Sequence, residues 1–214
     1  QPAFGHFATI LIVLCGASLW IRGTEGKPLA AVATTVLGVL YTGGLLSFGY
    51  ALWYHDYAVG AARVGSFEIP AGGALLVMPV VLTWATDMGA FYAGRPIGGR
   101  KLMPSVSPGK TVAGAIVGLV AAVIVAWVYT RFALRPVAQL ALTPTGVVVF
   151  GVTISAFAQV GDLFESLLKR EAGVKDSSRL IPGHGGVLDR LDSLFFVLPV
   201  AHLLLGQLLV AAPR

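Results

Sequence analysis

Six long apolar runs dominate the chain, and the polar residues collect in a few intervals between them. The runs cover roughly residues 3–21, 29–53, 71–93, 112–132, 146–163 and 193–210. A bilayer core is crossed by about 20 apolar residues of helix, so each run predicts a membrane-spanning helix. The second is long and contains Gly43-Gly44, which predicts a tilted or broken span. Trp53, Tyr54 and Tyr57 follow at its end, where an aromatic belt would sit. The predicted fold class is all-α: a polytopic membrane protein of about six spans with two large polar loops, forming a single membrane domain over 1–214. No fixed-period repeat, low-complexity segment or soluble domain interrupts it.

Composition settles the class independently of helix boundaries. Hydrophobic residues make up 56% of the chain, charged residues 12%, and the mean hydropathy is +0.82. A soluble domain carries about 25% charged residues, so a soluble chain of this size would be left with apolar surface it could not bury. The single cysteine, Cys15, lies in an apolar run. That excludes a disulfide framework and a thiolate metal site. The first run lacks a preceding basic residue and a clear cleavage site, so it does not read as a signal peptide. The chain opens on Gln1 rather than methionine, which predicts a processed or N-terminally incomplete protein.

The formal net charge of +5 suits an anionic surface, with no nucleic acid expected as partner. Its distribution says more. Alternating spans put loops 22–28, 94–111 and 164–192 on one side, with Arg22, Lys27, Arg95, Arg100, Lys101, Lys110, Lys169, Arg170, Lys175, Arg179 and Arg190. The other side keeps Arg63, Arg131, Arg135 and Arg214. The positive-inside rule then predicts that the first set faces the cytoplasm. Segment 55–70, loop 133–145 and the C-terminus would face outward.

The two large loops carry more chemistry than connections need. The first reads Asp87-Met-Gly-Ala-Phe-Tyr-Ala-Gly-Arg95, Gly98-Gly-Arg-Lys101, then Ser105-Val-Ser107-Pro-Gly-Lys110-Thr111. The second reads Gly161-Asp162-Leu-Phe-Glu165-Ser166-Leu-Leu-Lys169-Arg170, Lys175-Asp176, then Pro182-Gly-His184-Gly-Gly-Val-Leu-Asp189-Arg190-Leu-Asp192. If the fifth span continues as helix, Asp162, Ser166 and Lys169 share one face. The glycine-rich turn around His184 can offer successive N–H groups to an anion. Carboxylates for a hard cation beside lysines and arginines for phosphates suit metal-dependent chemistry on a nucleotide.

Simpler readings compete for several of these residues. Asp189 and Asp192 suit the cap and dipole of a helix start equally well. Lys169-Arg170, taken alone, reads better as a positive-inside anchor. Asp87 and Asp162, at the ends of apolar spans, are costly there and point to function. His6, His55 and His202 show no convergent partners and receive no role. Gly109-Lys110-Thr111 is not a phosphate-binding loop of the Walker type, because its required first glycine falls at Pro104. No His/Cys cluster has zinc-ligand spacing.

The run from Ser166 through Lys169-Arg170, Lys175-Asp176, His184-Gly-Gly and Asp189-Arg190 to Asp192 resembles the signature of the phosphatidate cytidylyltransferases. The stretch from Asp87 to Thr111 is similar to that family's second characteristic element. The resemblance covers about 80–195, with 1–79 matching in character and 196–214 holding most of the last span. Family members usually carry more N-terminal helices, which implies a truncated or short member here. It implies transfer of a cytidylyl group from CTP to phosphatidate, yielding CDP-diacylglycerol and pyrophosphate for phospholipid biosynthesis in a bacterial inner membrane. The implied cofactor is Mg²⁺, with room for a second cation. Asp162 and Asp189 are the expected main ligands, and Asp87 and Asp192 weaker ones. Lys169 joins Asp162, Asp189 and Asp192 as catalytic residues. Ser107, Lys110, Thr111, Ser166, Arg170, Lys175, Asp176, His184 and Arg190 are the expected substrate contacts. Membrane lipid is an implied partner, and a homodimer is compatible with the resemblance. Two other readings compete: a CTP-dependent polyprenol or phytol kinase, which needs a base for a neutral alcohol, and a transporter. A transporter would hold its polar residues near the midplane rather than at the cytoplasmic ends.

Overall fold

The structure, a computed structural model, describes residues 2–23, 25–57, 61–64, 67–178, 180 and 185–212. Among the described residues, five helical stretches are long and apolar enough to cross a membrane: Pro28–Trp53, Ala71–Gly94, Val112–Ala138, Pro144–Glu171 and Leu188–Leu208. They match the second to sixth apolar runs. The first run is also helical, as α1 (Pro2–Arg22), with a shorter apolar stretch over Thr9–Arg22. The chain is an integral membrane protein.

It forms two compact units, Gln1–Leu45 and Leu46–Arg214. In the first, α1 packs on α2 (Pro28–Val39), and Ser18 Oγ donates to the Pro28 carbonyl at 3.1 Å. Proline opens α2 where its missing N–H costs nothing. The break expected at Gly43-Gly44 is a single π-helical turn, Leu40–Gly44.

The second unit begins in α3 (Leu45–Trp53) and is built on α4 (Ala71–Ile97), α5 (Val112–Tyr129), α7 (Pro144–Glu171) and α8 (Leu188–Leu208). A short α6 (Arg135–Ala138) follows a second π turn, Thr130–Leu134. α5 shows why this bundle belongs in lipid. Its buried face is Gly114, Gly118, Ala122 and Ala126, while Ile116, Val120, Ile124 and Trp127 are more than half exposed. Small residues inside and large apolar residues outside invert the soluble pattern. The reason is that helices in lipid gain from close backbone packing rather than from escaping water. A Cβ on Gly114 would stand 2.7 Å from the Ala90 carbonyl oxygen of α4, so only glycine permits that crossing.

Among the described residues, three two-stranded sheets accompany the helices, two of them hairpins, which an all-helical prediction does not include. They are β1 (Ala61–Val64) with β2 (Phe67–Pro70), β3 (Lys101–Met103) with β4 (Ser107–Thr111), and β5 (Leu140–Leu142) with β6 (Leu209–Ala211), all antiparallel. Each gives backbone outside the helices internal partners, which chain near a membrane needs. β3–β4 matters most for function. α4 ends at Ile97, and Gly98 and Gly99 take φ of 60° and 85°, turning the chain straight into the hairpin. That left-handed pair favours glycine.

Candidate active site

The β3–β4 hairpin folds back on the polar ends of α4 and α5, and α7 closes the space it leaves. The result is a cavity of about 560 Å³ with Asp87, Lys101, Lys110, Gln159 and Asp162 among its lining residues. Residues distant in sequence meet because the hairpin reverses the chain, Lys101 opposite Thr111 and Met103 opposite Ser107, with a shift of register between the two pairs. Lys110 at the end of β4 forms an ion pair with Asp162 on α7. Its Nζ makes no other hydrogen bond among the described residues, so N–H donors remain for an anionic ligand. Thr111 lines the same cavity, but its hydroxyl also caps α5, accepting from Gly114 N at 3.1 Å. Ser107 sits towards the turn of the hairpin and is not among the lining residues.

A second polar group lies one to two turns further along α7, which runs as helix to Glu171. Lys169 Nζ is held between Glu165 Oε2 at 2.5 Å and Asp189 Oδ1 at 2.7 Å on α8. Glu165 is fully buried, at 0% exposure, and its Oε1 has no hydrogen-bond partner among the described residues. The other Asp189 oxygen accepts from Ser177 N at 2.9 Å, Ser177 Oγ at 2.6 Å and Gly186 N at 2.7 Å. Asp189 therefore ties α7, α8 and both ends of the 177–186 loop together. Gly185 has φ 78°, and a Cβ there would stand 2.7 Å from Asp189 Oδ2, so the loop needs glycine for both reasons. The glycine-turn amide at Gly186 is directed at Asp189 rather than outward.

The remaining expected residues spread around these two groups. Ser166 Oγ donates to Asp162 Oδ1 at 3.5 Å, a long contact. Arg170 is exposed and donates to the Val174 carbonyl beyond the end of α7. Lys175 and Asp176 are exposed on the loop, and Arg190 is exposed on the first turn of α8. His184, with Arg179 and Pro182, lies outside the described residues. Asp192 is half-buried at the start of α8, with Ser193 N donating to it at 2.6 Å. It lies within electrostatic reach of Asp162, as does Asp87.

Close packing at one glycine sets that last relation. A Cβ on Gly161 would lie 3.0 Å from the Asp192 carbonyl oxygen and 3.1 Å from Ser193 Cα. Gly161→Val is expected to push α8 from α7 and cost about tenfold in turnover. Turnover of folded protein, compared with Gly16→Val where no atom lies within 4 Å of the added Cβ, measures this.

Two residues escaped the sequence reading. Glu165 was visible inside the motif, and its step of four from Lys169 was the available signal. Gln159 had none, because a lone glutamine in an apolar span reads as filler. The sequence also gave His55 and His202 no partners, and the structure corrects this. Their rings meet at 5.3 Å, joined by Tyr57 and Phe48, because α8 returns to the end of α3. Burial, then the neighbouring His202, lowers the His55 pKa.

Among the described residues, no three His, Cys, Asp or Glu side chains gather tightly enough to hold a metal alone. Mg²⁺ does not require this, since it typically takes one or two carboxylates and completes its shell with water and substrate phosphate. Asp87 and Asp162, two carboxylates on one cavity, fit that demand.

Comparison with known proteins agrees with the motif. Residues 2–208 match the cytidylyltransferase family. A phosphatidate cytidylyltransferase of Haemophilus influenzae is 48% identical over 125 residues, covering 58% of this chain and 43% of that protein. One from Bacillus subtilis is 45% identical over 126 residues, covering 59% and 45%. One from Staphylococcus saprophyticus is 36% identical over 206 residues, covering 93% and 77%. The matched segment thus spans less than half of the first two relatives, while the third is matched over most of both chains. A match that runs through every span of the second unit, and includes both polar groups of the site, places this chain in the cytidylyltransferase family.

Proposed function

We propose that the protein transfers a cytidylyl group from CTP to phosphatidate, releasing pyrophosphate and forming CDP-diacylglycerol. The observation that carries this reading is the cavity itself. A lysine with unused donors and two carboxylates open onto it at the polar end of a membrane bundle. The relatives, phosphatidate cytidylyltransferases by name, supply the substrates.

The chemistry asks little of a base, because the phosphatidate oxygen is already anionic. It attacks the α-phosphorus of CTP, forming one P–O bond as the bond to the bridging oxygen of the β-phosphate breaks. Pyrophosphate leaves with that electron pair. The difficulty is bringing polyanions together and neutralising the leaving group. Lys110 and Lys101 reach the cavity and would hold phosphate oxygens. Arg170, Lys175 and Arg190, on the exposed side of the site, would attract and hold the second anion. Lys169 would orient the 177–186 loop through Asp189, with one ammonium N–H left over for a phosphate. Mg²⁺ held by Asp162, with Asp87 and Asp192 in support, would supply charge neutralisation at the transferring phosphate; Asp189, expected from the sequence as a main ligand, has both oxygens engaged by Lys169, Ser177 and Gly186 and is left out of that set. The enzyme would work in a bacterial inner membrane with the site towards the cytoplasm.

Detergent-solubilised protein incubated with CTP labelled at the α-phosphate should place label in lipid only when phosphatidate is present. Label transferred from the γ-phosphate to a neutral polyprenol would support a lipid kinase instead. Orientation has its own test in intact cells carrying Cys15→Ala. Gln139→Cys, exposed between two spans, should react with an impermeant maleimide from outside, and Val174→Cys should not. The reverse pattern would overturn the cytoplasmic site.

A further inference from the structure

Gln159 sits on α7 three residues before Asp162 and lines the same cavity. Its amide nitrogen donates to the Ala115 carbonyl oxygen of α5 at 3.2 Å and to Ser155 Oγ at 3.3 Å. A backbone carbonyl can only accept, so the nitrogen must face Ala115, which fixes the amide's orientation. Both amide hydrogens are thereby used, and these two bonds, both donated by the nitrogen, are the side-chain hydrogen bonds Gln159 makes among the described residues. This leaves a fixed acceptor beside the cavity. Around it, Ala90, Phe91, Leu102 and Ala115 give an apolar wall with one aromatic face, while Lys110 supplies the cation. An apolar slot, an oriented neutral acceptor and an adjoining ammonium, beside the carboxylates proposed for the cation, match the three parts of a nucleotide: a flat base, its exocyclic amine and its phosphates. The volume of about 560 Å³ falls in the range of small-molecule sites.

We infer that this cavity is the nucleotide subsite and that Gln159 Oε1 reads the base by accepting a hydrogen bond from the exocyclic amine of cytosine. The inference rests on the proposed cytidylyl transfer and adds the residue that selects the base. A keto group at the same ring position presents an acceptor to an acceptor, so uracil loses the bond and meets repulsion. Sites built to hydrogen-bond a substrate N–H discriminate strongly against analogues without it, because their own polar group is left unpaired.

The test crosses two proteins with two nucleotides in detergent. Equilibrium dialysis and initial rates are measured for wild type and Gln159→Leu, with CTP and with pyrimidin-2-one ribonucleoside triphosphate, which lacks only the amine. Wild type is expected to bind CTP about tenfold more tightly than the analogue, and Gln159→Leu should shrink that preference below about twofold. Phosphatidate KM should stay unchanged. Equal binding of the two nucleotides by wild type overturns the inference, whatever the stability of the variant. So does a Gln159→Leu protein that keeps the tenfold preference. A variant altered in phosphatidate KM but not in CTP binding would assign the cavity to the lipid, and overturn it as well. A wild type that binds CTP with the stated preference yet makes no CDP-lipid would instead sink the proposed reaction and leave the base subsite standing.

Discussion

An Asp189→Asn protein that folds normally is expected to lose about a hundredfold in kcat/KM, equivalent to about 3 kcal/mol of transition-state stabilisation. Asp56→Asn should stay within about twofold and change stability by no more than about 0.5 kcal/mol. Both changes remove one carboxylate charge. Asp56 is exposed just beyond α3. Asp189 accepts from Lys169, Ser177 and Gly186 at once. Asparagine keeps one acceptor oxygen but turns an NH₂ towards those donors. Either Lys169 or the 177–186 loop then loses its partner, and in the first case Lys169 is left beside the buried Glu165 alone. Rates must be compared at equal folded protein, judged by size-exclusion profile. Wild-type-like turnover by folded Asp189→Asn would reduce Asp189 to a helix-capping group and remove it from the site.

Exhaustive chelation is expected to abolish product formation, and added Mg²⁺ to restore it. Asp162→Asn should raise the Mg²⁺ concentration for half-maximal rate by about tenfold or more and lower the maximal rate about a hundredfold. Two effects combine in that residue. Asp162 is a hard oxygen donor on the cavity, and it is also the ion-pair partner that holds Lys110 there. Lys110→Met separates them: it should raise the CTP KM while leaving the Mg²⁺ requirement near that of wild type. A chelated enzyme at full rate would remove the metal from the mechanism. An Mg²⁺ requirement unchanged in Asp162→Asn would move the cation to Asp87 and Asp192.

The membrane class and the placing of the helices were legible in the chain because hydropathy is a local property. Lipid dissolves apolar residues wherever they stand, so runs of about 20 suffice to place spans. Each of the last five apolar runs became a candidate span, with ends shifted by up to eight residues, the most at Glu171. The strand pairs were not legible, since strands of three to five residues carry no period strong enough to read. The α7 extension was only a condition in the sequence: 164–192 reads as a loop, and Asp162, Ser166 and Lys169 share a face only if the span continues, as it does to Glu171.

The sequence by itself determined which residues carry charge at the ends of the spans, and a motif of fixed spacing tied them to one family. Only the tertiary structure decided how those residues pair. Asp162 meets Lys110, and Asp189 closes on Lys169 and the loop. Gln159 becomes an oriented acceptor only because α5 lies against α7. A glycine's worth at Gly114 or Gly161 likewise depends on which backbone approaches it. These are distances between separate helices, set by close packing in lipid, and no local pattern encodes them.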